Sequence, residues 1–194
     1  MDKDHEMRHR IPAPRDNRPT TRRWFLRSCA ATTVLAVAPS AWASRRASRR
    51  TLTFTNLHTG EDLRATFWAS GQYRPDELKA IDHLLRDHRS GEVHPMDPKL
   101  LDLLYLLQQS VGVSGAFHVI SGYRSPATNR KLRARSTGVA KKSLHMQGKA
   151  IDLRLPGCGL KQLRNAALAL EGGGVGYYPD SNFIHVDTGH VRRW

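Results

Sequence analysis

Leucines crowd positions 100–107, and Leu100, Leu101, Leu103, Leu104 and Leu107 would be apolar on most sides of a helix. The segment introduced by Asp97-Pro98, an N-cap and first-turn pair, is therefore predicted to be the central buried helix. Upstream, Leu78, Ile81, Leu84 and Leu85 share one face of a helix that starts at Pro75. A third, basic helix is capped by Ser125-Pro126 and reaches about Arg135. A fourth runs over Lys161–Leu170 and stops at Gly172-Gly173-Gly174. Alternating segments predict strands at Thr51–Thr55 and Asp62–Trp68, around a turn containing Gly60. Further strands are predicted at Ala116–Ser121, Lys149–Leu155, Val175–Tyr178 and Phe183–Asp187, the last two joined by a turn over Pro179-Asp180-Ser181-Asn182. Ser136 to Leu144 reads as a loop. Strands and helices follow in mixed order without repeats, which predicts a single α+β domain.

The N-terminus has a different character. Arg22-Arg23-Trp24-Phe25-Leu26 resembles a twin-arginine export signature, followed by an apolar run from Cys29 to Ala38 and a small-x-small site at Ala41-Trp42-Ala43. The run is about 10 to 14 residues, too short for a comfortable membrane span. Residues 1–43 are thus expected to be a signal peptide, 44–50 a basic Ser-rich linker, and 51–194 the folded domain. Cleavage after Ala43 would leave 151 residues, enough for one core, in the periplasm. No membrane span would remain, and a monomer is expected. Cys29 lies in the signal, so Cys158 would be alone afterwards and is expected to be a small buried side chain without a disulfide.

Charge narrows the partners. The chain carries a formal +14, with 23 Lys/Arg against 13 Asp/Glu after residue 43. Such an excess favours a polyanion. For an exported protein, anionic wall polymer or lipid headgroups fit better than nucleic acid, which is not expected as a partner.

Two short passages carry the candidate chemistry: Ser143-Leu144-His145 running to Asp152, and Phe183-Ile184-His185-Val186-Asp187. Two imidazoles and one carboxylate form a three-ligand set for zinc, with a fourth position left for water. His185 and Asp187 are two apart in a predicted strand, so they share a face. Asp187 then stands as a partner of His185 or as a proton acceptor. Arg124, at the end of a strand entering a turn, would hold a substrate carboxylate or a developing oxyanion. Each residue also has an ordinary structural role: His185 as a hydrogen-bonded strand-end residue, Asp152 as a partner of Arg154, and Tyr123-Arg124-Ser125 as a turn.

The run Ser121-Gly122-Tyr123-Arg124-Ser125, then Ser143-x-His145-x6-Asp152, then His185-Val186-Asp187, resembles the M15 zinc peptidases. These include D-Ala-D-Ala carboxypeptidases and share their metal site with hedgehog domains. Within that group the chain is similar to the DUF882 or YcbK-like branch of murein endopeptidases. The likeness extends through Asn56–Glu61, Gly173–Pro179 and the closing Gly189-x-Val191-Arg192-x-Trp194. It implies an antiparallel sheet with flanking helices, zinc held by His145, Asp152 and His185, and Arg124 acting on substrate. Tyr123, Ser143 and Tyr177 stand within the matching segments and are expected to meet substrate. Many relatives place a Glu three residues before the last His ligand. Here that position is Asn182, so the catalytic base is expected to be Asp187, with Asp180 second. The implied activity is cleavage of crosslinks between peptidoglycan stem peptides, including 3-3 diaminopimelate links. A D,D- or L,D-carboxypeptidase and a non-catalytic wall-binding domain are the alternatives.

Overall fold

The computed structural model describes residues 49–194, so the predicted export signal and its cleavage site lie outside the described residues. The element order is β1 (Arg49–Asn56), β2 (Asp62–Ala69), β3 (Gln72–Tyr73), α1 (Pro75–Leu84), α2 (Pro98–Val111), β4 (Phe117–Ser121), α3 (Pro126–Arg133), a 3-10 turn (Leu144–Gln147), β5 (Ala150–Arg154), α4 (Leu160–Ala169), β6 (Gly174–Tyr178), β7 (Phe183–Asp187) and β8 (Arg192–Arg193). All eight strands form one sheet in the order β3-β2-β1-β4-β5-β7-β6-β8. Pairing is antiparallel except at β1–β4 and β6–β8. The architecture is α+β, as the pattern predicts, and the sheet is mostly antiparallel.

Strand alternation gives the sheet two chemically different faces. Leu52 and Phe54, Ala65 and Phe67, Phe117 and Val119, Ile151 and Leu153, and Ile184 and Val186 are all buried in the core. The leucines of α2 lie in the same core, and Leu100, Leu101, Leu104 and Leu107 are fully enclosed. The α2 N-terminus is capped by Asp97, whose carboxylate accepts from the Lys99 amide at 3.0 Å, and its C-terminus by Gly112 at φ 66°. Asp152 and His185 are out of phase with these core residues and therefore stand on the other face.

Three boundaries differ from the sequence reading. Arg49 and Arg50, expected in a linker, belong to β1, where Arg50 pairs with Asp102 and lies over the Trp68 ring. Strands β3 and β8 have two residues each, too few to show an alternation. The loop before His145 ends in the 3-10 turn rather than running directly into β5. Cys158 is a half-buried free thiol packed against the core edge.

A buried carboxylate anchors the start of α3. Asp87 is 1% exposed and accepts from the backbone amides of Ser125 at 2.9 Å and Arg89 at 3.0 Å. Ser125 in turn caps α3 through the Thr128 amide at 3.2 Å. Burial alone would raise the Asp87 pKa, but hydrogen bonds from Thr128, Ser125 and Arg89 outweigh it and bring it from 3.8 to about 2. A depressed folded-state pKa adds stability that is present above the unfolded value and lost as pH falls through the folded one. Asp87→Asn is therefore expected to cost about 2 kcal/mol at pH 7. In denaturant titrations its gap from wild type should close between about pH 4 and pH 2; a gap independent of pH would remove the ionised carboxylate from this role.

Candidate metal centre

Strands β5 and β7 pair with Asp152 directly opposite His185. The two side chains therefore emerge side by side on the same face. Asp152 Oδ1 lies 2.8 Å from His185 Nδ1. His145 reaches them from the 3-10 turn, whose αL cap at Gly148 (φ 65°) returns the chain into β5. A Cβ at Gly148 would collide with the Pro95 carbonyl, so only glycine fits this return. His145 Nε2 lies 3.2 Å from His185 Nδ1 and 3.3 Å from Asp152 Oδ1.

The outer nitrogens of both rings are tied off. His145 Nδ1 donates to the Gly122 carbonyl at 2.7 Å, and His185 Nε2 donates to Asp187 Oδ2 at 2.9 Å. With the outer nitrogens so held, the neutral form of each ring that a metal requires would have its remaining lone pair on the side of Asp152. Tetrahedral zinc bonds of about 2.0–2.2 Å separate their ligand atoms by roughly 3.3 Å. The three atoms therefore fit a common ion, and all three residues are buried. Burial would raise the Asp152 pKa, but His145 and His185 hold its carboxyl well below the usual range. Burial disfavours protonation of His185, yet Asp152 and Asp187 override it and raise its pKa in the metal-free chain.

The centre lies in the wall of a cavity of about 470 Å³. Arg124, Ser143 and the loop residues Ser136, Gly138, Val139 and Ala140 form one part of the lining, and Tyr178, Phe183 and Trp194 another. Arg124 Nη2 is 3.7 Å from Asp152 Oδ2 and 3.5 Å from Ser121 Oγ, while its buried Nε has no partner. A β-bulge between Val119 and Ser121 brings Ser121 opposite Asp152. The guanidinium thus borders the cavity with only long contacts from Nη2.

Several expected residues fall elsewhere. Asp187 is fully buried and is not part of the cavity lining. Its Oδ1 accepts from the Gly174 and Gly189 amides and from Arg192, and its Oδ2 from His185 and Arg192. These donors, against the opposing effect of burial, keep it well below the usual carboxylate range. So saturated a carboxylate orients His185 and is a poor proton acceptor. Asp180 is exposed in the β6–β7 turn, and Asn182 adopts φ 52° in that turn. Neither lines the cavity, whose only carboxylate is Asp152. Tyr123 is buried against His94, away from the cavity lining. Tyr178 lines the cavity and Tyr177 does not: Gly176 pairs with His185 and Tyr178 with Phe183, so Tyr177 points to the opposite face, under Arg164. Arg192 and Trp194 also line the cavity, roles the spacing did not reveal.

Residues 44–194 match the protein family described as peptidoglycan L,D-endopeptidase MepK. The chain belongs to this M15 peptidase family. Peptidoglycan L,D-endopeptidase MepK of Escherichia coli strain K12 is 50% identical over 145 residues, covering 75% of this chain and 80% of that protein. A probable MepK of Haemophilus influenzae is also 50% identical, over 146 residues, covering 75% and 78%. The described centre lies within the matched segment, and its donors are those a metal-dependent member of the MepK family would need.

Elemental analysis of purified protein is expected to find one divalent ion per chain, and none in a His145→Ala, His185→Ala double variant. Asp187→Asn should weaken metal affinity about 10- to 100-fold through loss of His185 orientation. Competition with a chromophoric chelator measures this; unchanged affinity with lost turnover would return Asp187 to the proton-acceptor role.

Proposed function

We propose that this protein is an exported zinc peptidase that hydrolyses crosslinks between peptidoglycan stem peptides. The observation that carries this reading is an open three-ligand centre, His145–Asp152–His185, in a cavity that also holds an underused arginine. Two imidazoles and one carboxylate suit zinc better than the oxygen-seeking calcium or magnesium. Zinc bound there would activate water at neutral pH and polarise the scissile carbonyl.

The chain's own residues then have distinct tasks. His145 and His185 present fixed lone pairs because Gly122 and Asp187 hold their other nitrogens. Arg124 binds a stem-peptide carboxylate or the oxyanion formed at the carbonyl, since it lines the cavity and its Nη2 makes only long contacts, 3.7 Å to Asp152 and 3.5 Å to Ser121. Asp187 is assigned to orientation of His185. Ser143 and Tyr178 border the bound peptide, and the Phe183 and Trp194 rings offer apolar faces to it.

The names of the relatives support an L,D bond as the one cleaved. Export is supported by the paired Arg22-Arg23, the apolar run and the Ala-x-Ala site, in that order. Among the described residues no helix is long and apolar enough to cross a membrane. The export pattern and the wall-acting relatives support the periplasm as the working location.

Zinc-loaded protein should convert crosslinked muropeptide dimers to monomers, and chelation should stop it. Arg124→Ala should keep its metal and lose about 100- to 1,000-fold in kcat, as for loss of one oxyanion donor. Product masses decide between readings. Monomers that lose a terminal residue while dimers persist would mark a carboxypeptidase, and sacculus binding without hydrolysis a recognition domain. Separately, Arg22→Lys with Arg23→Lys should trap precursor in the cytoplasm; normal export of that variant would reject the twin-arginine route.

A further inference from the structure

Between Asp102 and Asp152 the chain has no acidic residue and eight Lys or Arg. Six of those cations sit on one structural unit: Arg130, Lys131 and Arg133 on α3, Arg135 just after it, and Lys141 and Lys142 in the following loop. All six are exposed, and among the described residues none is ion-paired to a carboxylate. The carboxylate at the start of α3, Asp87, is buried under the helix N-terminus and taken up by backbone amides.

The unit is built to hold its shape beside the metal centre. Ser125 caps α3, and buried Asn129 donates from Nδ2 to the Ala140 carbonyl at 3.1 Å, fastening helix to loop. The loop contributes Ser136, Ala140 and Lys142 to the cavity lining, whereas Arg130, Lys131, Arg133 and Arg135 stand outside it. A polymer whose reactive bond reaches the metal centre would therefore have its flanking segments beside these four cations. Arg130 and Arg133 are helical neighbours of like charge, an arrangement that costs stability until an anion arrives. A surface needing only solubility would intersperse both signs.

We infer that this cationic rim is an exosite for the carboxylates of polymeric peptidoglycan, gripping stem peptides next to the one being cleaved. The inference rests on the proposed function for its substrate, while the rim's binding is separable from hydrolysis. Exposed charges act over a Debye length of about 8 Å at physiological salt, so each contact is weak. Several contacts along one polymer raise the effective concentration of crosslinks at the cavity.

The test uses the full mature chain with Arg130, Lys131, Arg133 and Arg135 all changed to Gln, its fold checked by thermal melting. Co-sedimentation with purified sacculi, under chelator to prevent digestion, should show about tenfold to a hundredfold weaker binding and a flattened salt dependence. Cleavage of soluble muropeptide dimers should stay within about twofold of wild type, because none of the four residues lines the cavity. Sacculi whose carboxylates are amidated should bind wild type as poorly as native sacculi bind the variant. Unchanged sacculus binding, tight wild-type binding to amidated sacculi, or a parallel loss on dimers would each overturn the exosite. So would stronger wild-type binding to vesicles of anionic phospholipid than to sacculi. If wild type cleaves neither dimers nor sacculi, the proposed hydrolase fails, yet co-sedimentation still judges the rim.

Discussion

Two neutral imidazoles can aim lone pairs at one point only if their other nitrogens are bound elsewhere. In this protein that requirement organises much of the fold around the centre. His145 Nδ1 is held by the Gly122 carbonyl, so the turn after β4 has to pass beneath the 3-10 turn. His185 Nε2 is held by Asp187, two residues along the same strand face. Asp187 is a buried charge and would be costly unpaired. Arg192 and two backbone amides compensate it, and this ties the C-terminal segment to β6 and β7.

The glycines of β6 follow from the same geometry. A Cβ on Gly174 would collide with the Arg192–Asp187 pair, and one on Gly176 would collide with the Trp194 ring. Their absence lets the final residues lie over the sheet. Trp194 then approaches His185, with ring centroids 5.2 Å apart, and its indole N–H donates to the Tyr178 hydroxyl at 2.7 Å. An aromatic wall and the Arg192 side chain that holds Asp187 against His185 thus come from one short segment. On the other side, the Asp87 network and the α3 cap support the loop that lines the cavity. Two of the three candidate ligands, Asp152 and His185, sit on paired strands, which are stiffer than loops.

Electrostatics set the character of the cavity. Its lining holds Arg124, Lys142 and Arg192 against the single carboxylate of Asp152, itself directed at two imidazoles. Arg192 is largely spent on Asp187, whereas Arg124 makes only long contacts and Lys142 is exposed with no carboxylate partner among the described residues. Such a surface selects ligands that bring their own carboxylates and disfavours cationic ones.

The ligand types, the helices and most strands were legible in the sequence because local periodicity and residue chemistry carry them. The leucine pattern marked α2, and the His-x6-Asp and His-x-Asp spacings marked the centre. Pairing was not legible. Which strands are neighbours, and the register that sets Asp152 against His185, depend on contacts remote in sequence. The same gap hid the saturation of Asp187, whose partner Arg192 comes from a two-residue strand with no periodic signal. Tyr178 was within reach: a four-residue turn pairs Tyr178 with Phe183, which fixes its face with His185 and turns Tyr177 away. Residue chemistry along the chain thus determined what the site is made of. Tertiary structure alone decided which groups face the cavity, because facing is a property of paired strands rather than of either strand by itself.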